Sequence, residues 1–227
     1  MSAEIGPDLG RIGIPFVVAA PSGTGKTTVC RLALERDELL DFSVSHTTRS
    51  PRAGEKDGVD YRFVSAAEFR RLVEEGAFVE HAEYNAENYG TSHEALRLPL
   101  EERGHDVLLE IEVQGAAQVR ERRPDARFIF LLPPNLEVLE ARLRGRGTDR
   151  DEAVDRRLAM ADREIEAVRF FDYAVVNDDL EEAVAKVLEI VSAERSGEPE
   201  RREGALARHG RDHVFAHWRS ETGTSQG

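Results

Sequence analysis

The sequence predicts an α/β fold in which a parallel β-sheet is flanked by helices. Three observations point there. Short apolar runs at Ile14–Ala20, Asp106–Val113, Arg127–Leu132 and Tyr173–Val176 read as strands buried on both faces. Longer stretches with helical spacing separate them, and strand–helix alternation closes a parallel sheet under helices. A Gly-rich turn follows the first run directly and opens onto a helix.

Residues 1–13 contain Gly and Pro without any period and read as a loose tail. After the strand Ile14–Ala20 a helix is expected at Lys26–Arg36, then a short strand or extended edge at Ser43–Arg49. Ser50–Tyr61 is rich in Pro, Gly, Asp and Lys, which is turn chemistry. Ser65-Ala-Ala-Glu68 is a capping box, with Phe69, Leu72 and Val73 at helical spacing behind it and Gly76 as the stop. Phe78–Tyr84 alternates as a strand does, and Ser92–Arg103 reads as a helix ended by Gly104. Asp106–Val113 carries acids at its C-terminal end and precedes another helix. The strand Arg127–Leu132 stops at Pro133 and Pro134, and Asn135 is placed to cap the next helix, which Gly145-Arg-Gly147 breaks. A long polar helix over Arg150–Arg169, the strand Tyr173–Val176 and a helix over Asp179–Glu194 complete the pattern. In the last of these Leu180, Val184, Val187, Leu188 and Val191 share one face.

The segment 47–92 breaks the α/β rhythm with hairpin-like turns and short strands, so it reads as an insertion with its own small sheet. The expected organisation is one domain over 14–195, its core made of 14–46, 93–141 and 170–195. Residues 196–227 turn to Gly, Arg, Glu, His and Ser and read as a disordered or peripheral extension. His209, His213 and His217 are spaced by four, but Gly210 interrupts them and metal binding is not expected. Phe215 and Trp218 are the residues that could anchor this tail.

Composition limits the function classes. With 40% hydrophobic and 33% charged residues, the 227-residue chain can bury a proper core. No apolar run approaches the roughly 20 residues of a membrane helix. Met1 to Gly13 lacks a basic region followed by an apolar stretch, so no secretory signal is expected and the cytoplasm is the expected compartment. Cys30 is the only cysteine and reads as a small buried hydrophobe. A net charge of −13 argues against nonspecific nucleic-acid binding. A polyanionic ligand would need a local arginine cluster, and the chain has 28 arginines against three lysines, Lys26, Lys56 and Lys186.

One of those lysines falls in the Gly-rich turn. Ala20-Pro21-Ser22-Gly23-Thr24-Gly25-Lys26-Thr27-Thr28 follows a strand and opens a helix, which is the context of a phosphate-binding P-loop. Successive backbone N–H groups can wrap phosphates there, and the helix N-terminus adds partial positive charge. Lys26 supplies a full charge for the β- and γ-phosphates of ATP, and Thr27 offers a hydroxyl to Mg²⁺. The pattern departs from the strict form only at Ala20, where glycine is usual. Glu110, on the acidic end of Asp106–Val113, is the natural companion, able to orient water on the metal. Glu112 alternates with it across Ile111.

The inserted segment narrows the class. It reads Ser43-Val-Ser-His-Thr-Thr-Arg49-Ser-Pro-Arg52-Ala-Gly-Glu-Lys-Asp-Gly-Val-Asp-Tyr61. With Asn88-Tyr-Gly-Thr91 and Gly145-Arg-Gly-Thr148, this resembles the guanylate kinases, P-loop nucleoside monophosphate kinases, over about residues 14–194. The resemblance implies a P-loop NTPase-type sheet carrying a small β-containing GMP-binding insertion and a helical lid over 142–169. It implies phosphoryl transfer from ATP, with Mg²⁺, to GMP and dGMP, in GMP recycling and purine metabolism.

It further implies that Arg49, Arg52, Tyr61 and Tyr89 grip the GMP phosphate, and that Ser45, Glu80, Thr91 and Glu112 read guanine. The residue types suit those roles. Guanidinium forks bind phosphate bidentately, and a carboxylate can accept both guanine N1–H and its 2-amino group. Glu112 stands where the family usually has Asp, so it could serve the base or turn toward the metal. Arg142, Arg146 and Arg157 match the lid arginines that bring charge onto the transferring phosphoryl group. Asn177 matches a residue near the adenine of ATP. Two rivals remain: a phosphopeptide-binding scaffold of the same fold, which lacks an intact P-loop and lid arginines, and a kinase of another phosphorylated small molecule, which lacks the guanine-reading set.

Overall fold

The computed structural model describes residues 11–84, 86–145, 158, 160–161 and 163–223. In chain order the strands are β1 (Pro15–Ala19), β2 (Leu40–Phe42), β3 (His46–Thr47), β4 (Arg62–Phe63), β5 (Phe78–Tyr84), β6 (Glu87–Ser92), β7 (Asp106–Glu110), β8 (Arg127–Leu132) and β9 (Tyr173–Val176). The helices are α1 (Lys26–Arg36), α2 (Ala66–Glu74), α3 (His93–Arg97), α4 (Val113–Arg122), α5 (Leu136–Arg144), α6 (Leu180–Ser196), α7 (Pro199–His209) and α8 (Arg211–Thr222). The larger sheet has the order β2-β7-β1-β8-β9 and the smaller one β4-β3-β6-β5.

The described residues divide into two compact units. The first takes those up to Pro15, with Leu39–Leu109 and Gln114–Ala126; the second takes Phe16–Glu38, Glu110–Val113 and those from Arg127 onward. The first compact unit is therefore larger than the insertion at 47–92 and includes β2, most of β7 and most of α4.

In the first unit β2 pairs in parallel with β7, Leu40 against Asp106. The smaller sheet is mostly antiparallel, with β6 between β3 and β5. Ser65 caps α2 as expected, its Oγ accepting from Glu68 N at 3.1 Å, while the Glu68 carboxylate pairs with Arg71 rather than closing the reciprocal half of the box. The expected single helix Ser92–Arg103 is instead α3 followed by a π-helical turn, Leu98–Arg103. Pro99 brings no N–H to the ladder, and the backbone widens at the point where the regular bond is missing. The tail reading also changes at its C-terminal end. Arg11 pairs with the fully buried Asp106, whose carboxylate accepts from Ile14 N at 2.8 Å, and Gly13 N donates to Leu100 O at 2.9 Å.

In the second unit β1, β8 and β9 are parallel and almost wholly buried, which is why their sequences are continuous apolar runs. Asn135 caps α5 as expected, accepting from Val138 N at 2.7 Å. Cys30 is buried on α1, and burial pushes its thiol well above the usual range. Of the expected helix over Arg150–Arg169, residues 150–157, 159 and 162 lie outside the described ones, and the C-terminal part ends in a 3₁₀ turn, Ala167–Phe170.

The expectation of a disordered or peripheral extension does not hold for residues 199–222, which form α7 and α8 and add to the core. Tyr173 on β9 bridges to Gly210, and Arg211 N donates to Asp172 O at 3.2 Å. Trp218, 3% exposed, donates from Nε1 to Pro133 O at 2.6 Å. Arg202 on α7 reaches the buried Glu194, which also accepts from Arg127 Nε at 2.7 Å and from Tyr173 OH at 2.5 Å. The buried positions are few (Ala205, His209, Phe215 and Trp218) and they straddle the break at Gly210. That is why composition hides them. The same break separates His209, which pairs with Glu189 at 2.8 Å, from His213 and His217 on α8.

Candidate active site

The second unit holds the phosphate loop. β1 ends at Ala19, and Ala20 and Pro21 are buried where the chain leaves the sheet. Gly23 and Gly25 take φ of +92° and +97°, values that residues with a Cβ rarely adopt. A Cβ on Gly25 would also stand 2.7 Å from Asn177 Nδ2. The turn is closed by Thr24 N donating to Pro21 O at 3.2 Å, and α1 then starts at Lys26, with Thr27 and Thr28 in its first turn.

Lys26 Nζ lies 2.7 Å from Ile111 O and 3.2 Å from Glu112 Oε1. Burial opposes its charge, but Glu112 and Glu110 outweigh burial and lift its pKa above the ordinary lysine value. Glu112 thus pairs with the phosphate-loop lysine, a contact that neither of its two expected roles includes. Thr27 Oγ1 donates to Glu110 Oε1 at 2.5 Å. A hydroxyl and a carboxylate in contact form the hard-oxygen donor set that Mg²⁺ takes, directly or through its waters.

Arg142, near the end of α5, turns onto the loop. Its Nη1 donates to Thr24 O at 3.3 Å and its Nη2 to Asn177 O at 3.2 Å. Asn177, 4% exposed, donates from Nδ2 to the same Thr24 O at 2.6 Å. Arg146 and Arg157 lie outside the described residues.

The first unit gathers the acceptor-side residues. Glu80 and Thr91 are register partners across β5 and β6, and both are buried. Thr91 Oγ1 donates to Glu80 Oε1 at 2.7 Å, and Ser45 Oγ stands 3.2 Å from Thr91 Oγ1. A carboxylate with two hydroxyls is therefore gathered at the smaller sheet, Glu80 on β5, Thr91 on β6 and Ser45 just before β3.

Nearby in sequence, Thr47 pairs with Tyr89 in the same sheet, and the Tyr61 and Tyr89 rings meet edge to face at 6.0 Å. The Arg49 guanidinium lies 5.3 Å over the Tyr61 ring. Arg49 is held bidentately by Glu55, with Nη1–Oε2 at 2.9 Å and Nη2–Oε1 at 2.8 Å. That pairing, then the contact with Tyr89, raises the Arg49 pKa. Arg52 contributes its backbone N to Glu55 at 2.7 Å, and its side chain is exposed. Arg49, Tyr61 and Tyr89 are thus brought together, with Arg52 at the margin.

Sequence reading missed Glu55, although it lies inside the Arg-Ala-Gly-Glu run, six residues after Arg49, within reach across a turn. It also missed Gln118, which clamps β5 by donating to His81 O at 2.8 Å and accepting from His81 N at 3.2 Å. Glu164 is the third omission. Burial and then Glu112 lift its pKa to about 6, while Lys26 and the Ser22 N–H pull it down. No local pattern marks it.

A family model described as guanylate kinase matches residues 13–194. The guanylate kinase of Neisseria gonorrhoeae is 52% identical over 183 residues, covering 81% of this chain and 89% of that protein. The guanylate kinase of Thermus thermophilus is 52% identical over 189 residues, covering 82% of each. The crystal structure of guanylate kinase from Anaplasma phagocytophilum matches with a TM-score of 0.66 at 36% identity, covering 81% of this chain and 87% of that one.

Proposed function

The chain belongs to the guanylate kinase family, and on that premise we propose that it transfers the γ-phosphoryl group of ATP to GMP, giving ADP and GDP. The observation that supports this best is the buried Glu80 carboxylate with Thr91 and Ser45 beside it. Guanine offers two adjacent donors on one edge, N1–H and the 2-amino group, which a carboxylate accepts together. Adenine offers an acceptor at N1 and no 2-amino group, so the same carboxylate repels it. The reading extends to dGMP, because the guanine edge and the phosphate that these residues would hold are the same in both nucleotides.

Arg49, Tyr61 and Tyr89, with Arg52, bind the GMP phosphate. Glu55 and the Tyr61 ring already hold the Arg49 fork in place, which reduces the ordering cost on binding. Residues 20–28 bind the ATP phosphates, and Lys26 stays protonated for that work. Thr27 and Glu110 would hold Mg²⁺, which would supply positive charge to neutralise the phosphates. Arg142, Arg146 and Arg157 supply positive charge to the transferring group. No general base is required, because the attacking GMP phosphate oxygen is already anionic near neutral pH.

Among the described residues no helix is long and apolar enough to cross a membrane. The net charge of −13 speaks against nucleic acid as a partner, and we place the reaction in the cytoplasm.

The test is ADP release with GMP, dGMP, AMP and UMP side by side. Turnover is expected with GMP and dGMP only. Equal turnover of AMP and GMP would overturn the Glu80 reading, and full turnover by Lys26→Ala would overturn the phosphate-loop reading.

A further inference from the structure

We infer that Asn177 is a positioning residue for the phosphate loop: with Arg142 it holds the Thr24 carbonyl and so aims the Gly25 N–H into the cradle. The inference rests on the kinase reading of that loop. Three observations on the second unit carry it.

The first is the convergence of donors. Thr24 O accepts from Asn177 Nδ2 at 2.6 Å and from Arg142 Nη1 at 3.3 Å, and Arg142 Nη2 ties back to Asn177 O at 3.2 Å. One loop carbonyl is thus held by two side chains, and the Arg142 side chain is itself tied to the Asn177 backbone.

The second is the anchoring of the amide. Asn177 follows β9, its N donates to Leu132 O at 2.8 Å, and it is 4% exposed. Both its backbone and its side chain are fixed, so the loop is referenced to the buried parallel sheet.

The third is the closeness of the fit. The Asn177 amide stands 2.7 Å from where a Cβ on Gly25 would be. The amide therefore fills the underside of the Thr24–Gly25 peptide.

The consequence follows from peptide geometry. A trans peptide is planar and its C=O and N–H point in opposite directions. Two donors fixed on the Thr24 carbonyl therefore point the Gly25 N–H away from Asn177. Donation to the carbonyl also polarises the same peptide, strengthening its N–H as a donor. Asn177 acts on phosphate through that peptide, without touching the nucleotide.

The experiment compares binding of ATP, inorganic tripolyphosphate and GMP, without added metal, to the full-length chain and to its Asn177→Ala and Asn177→Asp variants. Tripolyphosphate carries the phosphates and no adenine. Both variants are expected to lose affinity for ATP and for tripolyphosphate by the same factor, about tenfold, with GMP affinity unchanged. Asn177→Asp keeps the side-chain shape but adds a negative charge beside the phosphates, and Asn177→Ala adds none, so a loss common to both variants reports the missing donor rather than a cavity or the added charge. A loss confined to ATP would overturn the inference in favour of an adenine contact. Equal loss on all three ligands would overturn it in favour of a general folding role. Variants that match the parent on ATP and tripolyphosphate would overturn it outright. A parent that bound neither ATP nor tripolyphosphate would instead overturn the kinase reading beneath it.

Discussion

Thr91 Oγ1 donates to Glu80 Oε1 at 2.7 Å across register partners of β5 and β6, both buried. The hydroxyl thereby orients the carboxylate. Glu80→Gln replaces one acceptor with a donor at this position. It is expected to lower kcat/KM for GMP by about 10³-fold or more, because a buried polar group is left mispaired. Steady-state rates with GMP and AMP measured together check it: unchanged preference for GMP would contradict the role given to Glu80.

Lys26 and Glu112 form the charge pair of the phosphate loop at 3.2 Å. Glu112 and Glu110 raise the Lys26 pKa against the effect of burial. The KM for ATP is therefore expected to stay flat up to about pH 10, near the ordinary lysine value. Glu112→Gln removes the larger raising charge, so the rise in KM should begin at lower pH. A pH profile of KM for ATP in the two proteins decides it, and coincident profiles would show that Glu112 does not tune Lys26.

Glu164 gives a stability prediction with a definite sign. Its pKa is raised from 4.5 to about 6, first by burial and then by Glu112. The folded chain thus holds this proton more tightly than the unfolded chain. The stability it contributes is complete below pH 4.5 and is lost as pH rises to about 6. Glu164→Gln is expected to stabilise at pH 7 by about 1 kcal/mol, after allowance for partial solvent screening, and to be neutral near pH 4. Urea unfolding at both pH values measures the difference.

Trp218 tests the extension. Its indole is buried and its Nε1 donates to Pro133 O at 2.6 Å. Trp218→Ala is expected to cost about 3 kcal/mol of unfolding free energy. A large drop in denaturation midpoint would confirm that α8 is part of the fold. A midpoint within error of the parent would show that α7 and α8 dock without stabilising it.

The legible parts of the fold are those with local causes. The strands Phe78–Tyr84, Arg127–Leu132 and Tyr173–Val176 and the helix Lys26–Arg36 have the bounds their sequences announce. Alternation, continuous apolar runs and a Gly–Lys boundary are written into adjacent residues. The missed elements lack such causes. β2 is Leu-Asp-Phe and exists because β7 offers it a ladder. β6 reads Glu-Asn-Tyr-Gly-Thr-Ser, a poor strand by propensity, and extends because β3 and β5 pair with it. α7 and α8 present few apolar positions each and fold through arginine contacts with distant carboxylates and carbonyls, such as Arg208 on Glu189 and Arg211 on Phe171 O.

The candidate site divides in the same way. The sequence by itself determined that a Gly-rich loop follows the first strand and that Lys26 and Thr27 open the helix after it. Those conclusions depend on residue type and spacing, which the chain carries before it folds; the roles of Glu80, Thr91, Arg49, Tyr61 and Tyr89 toward a guanine nucleotide came instead from the resemblance of their motifs to a family. Only the tertiary structure decided that Glu112 pairs with Lys26, that Glu55 holds Arg49, and that Asn177 grips Thr24, 153 residues away. Each is a choice among competing donors and acceptors. A buried polar group takes whichever partner the packed backbone places within about 3 Å, and that placement is a property of the closed fold rather than of any local segment.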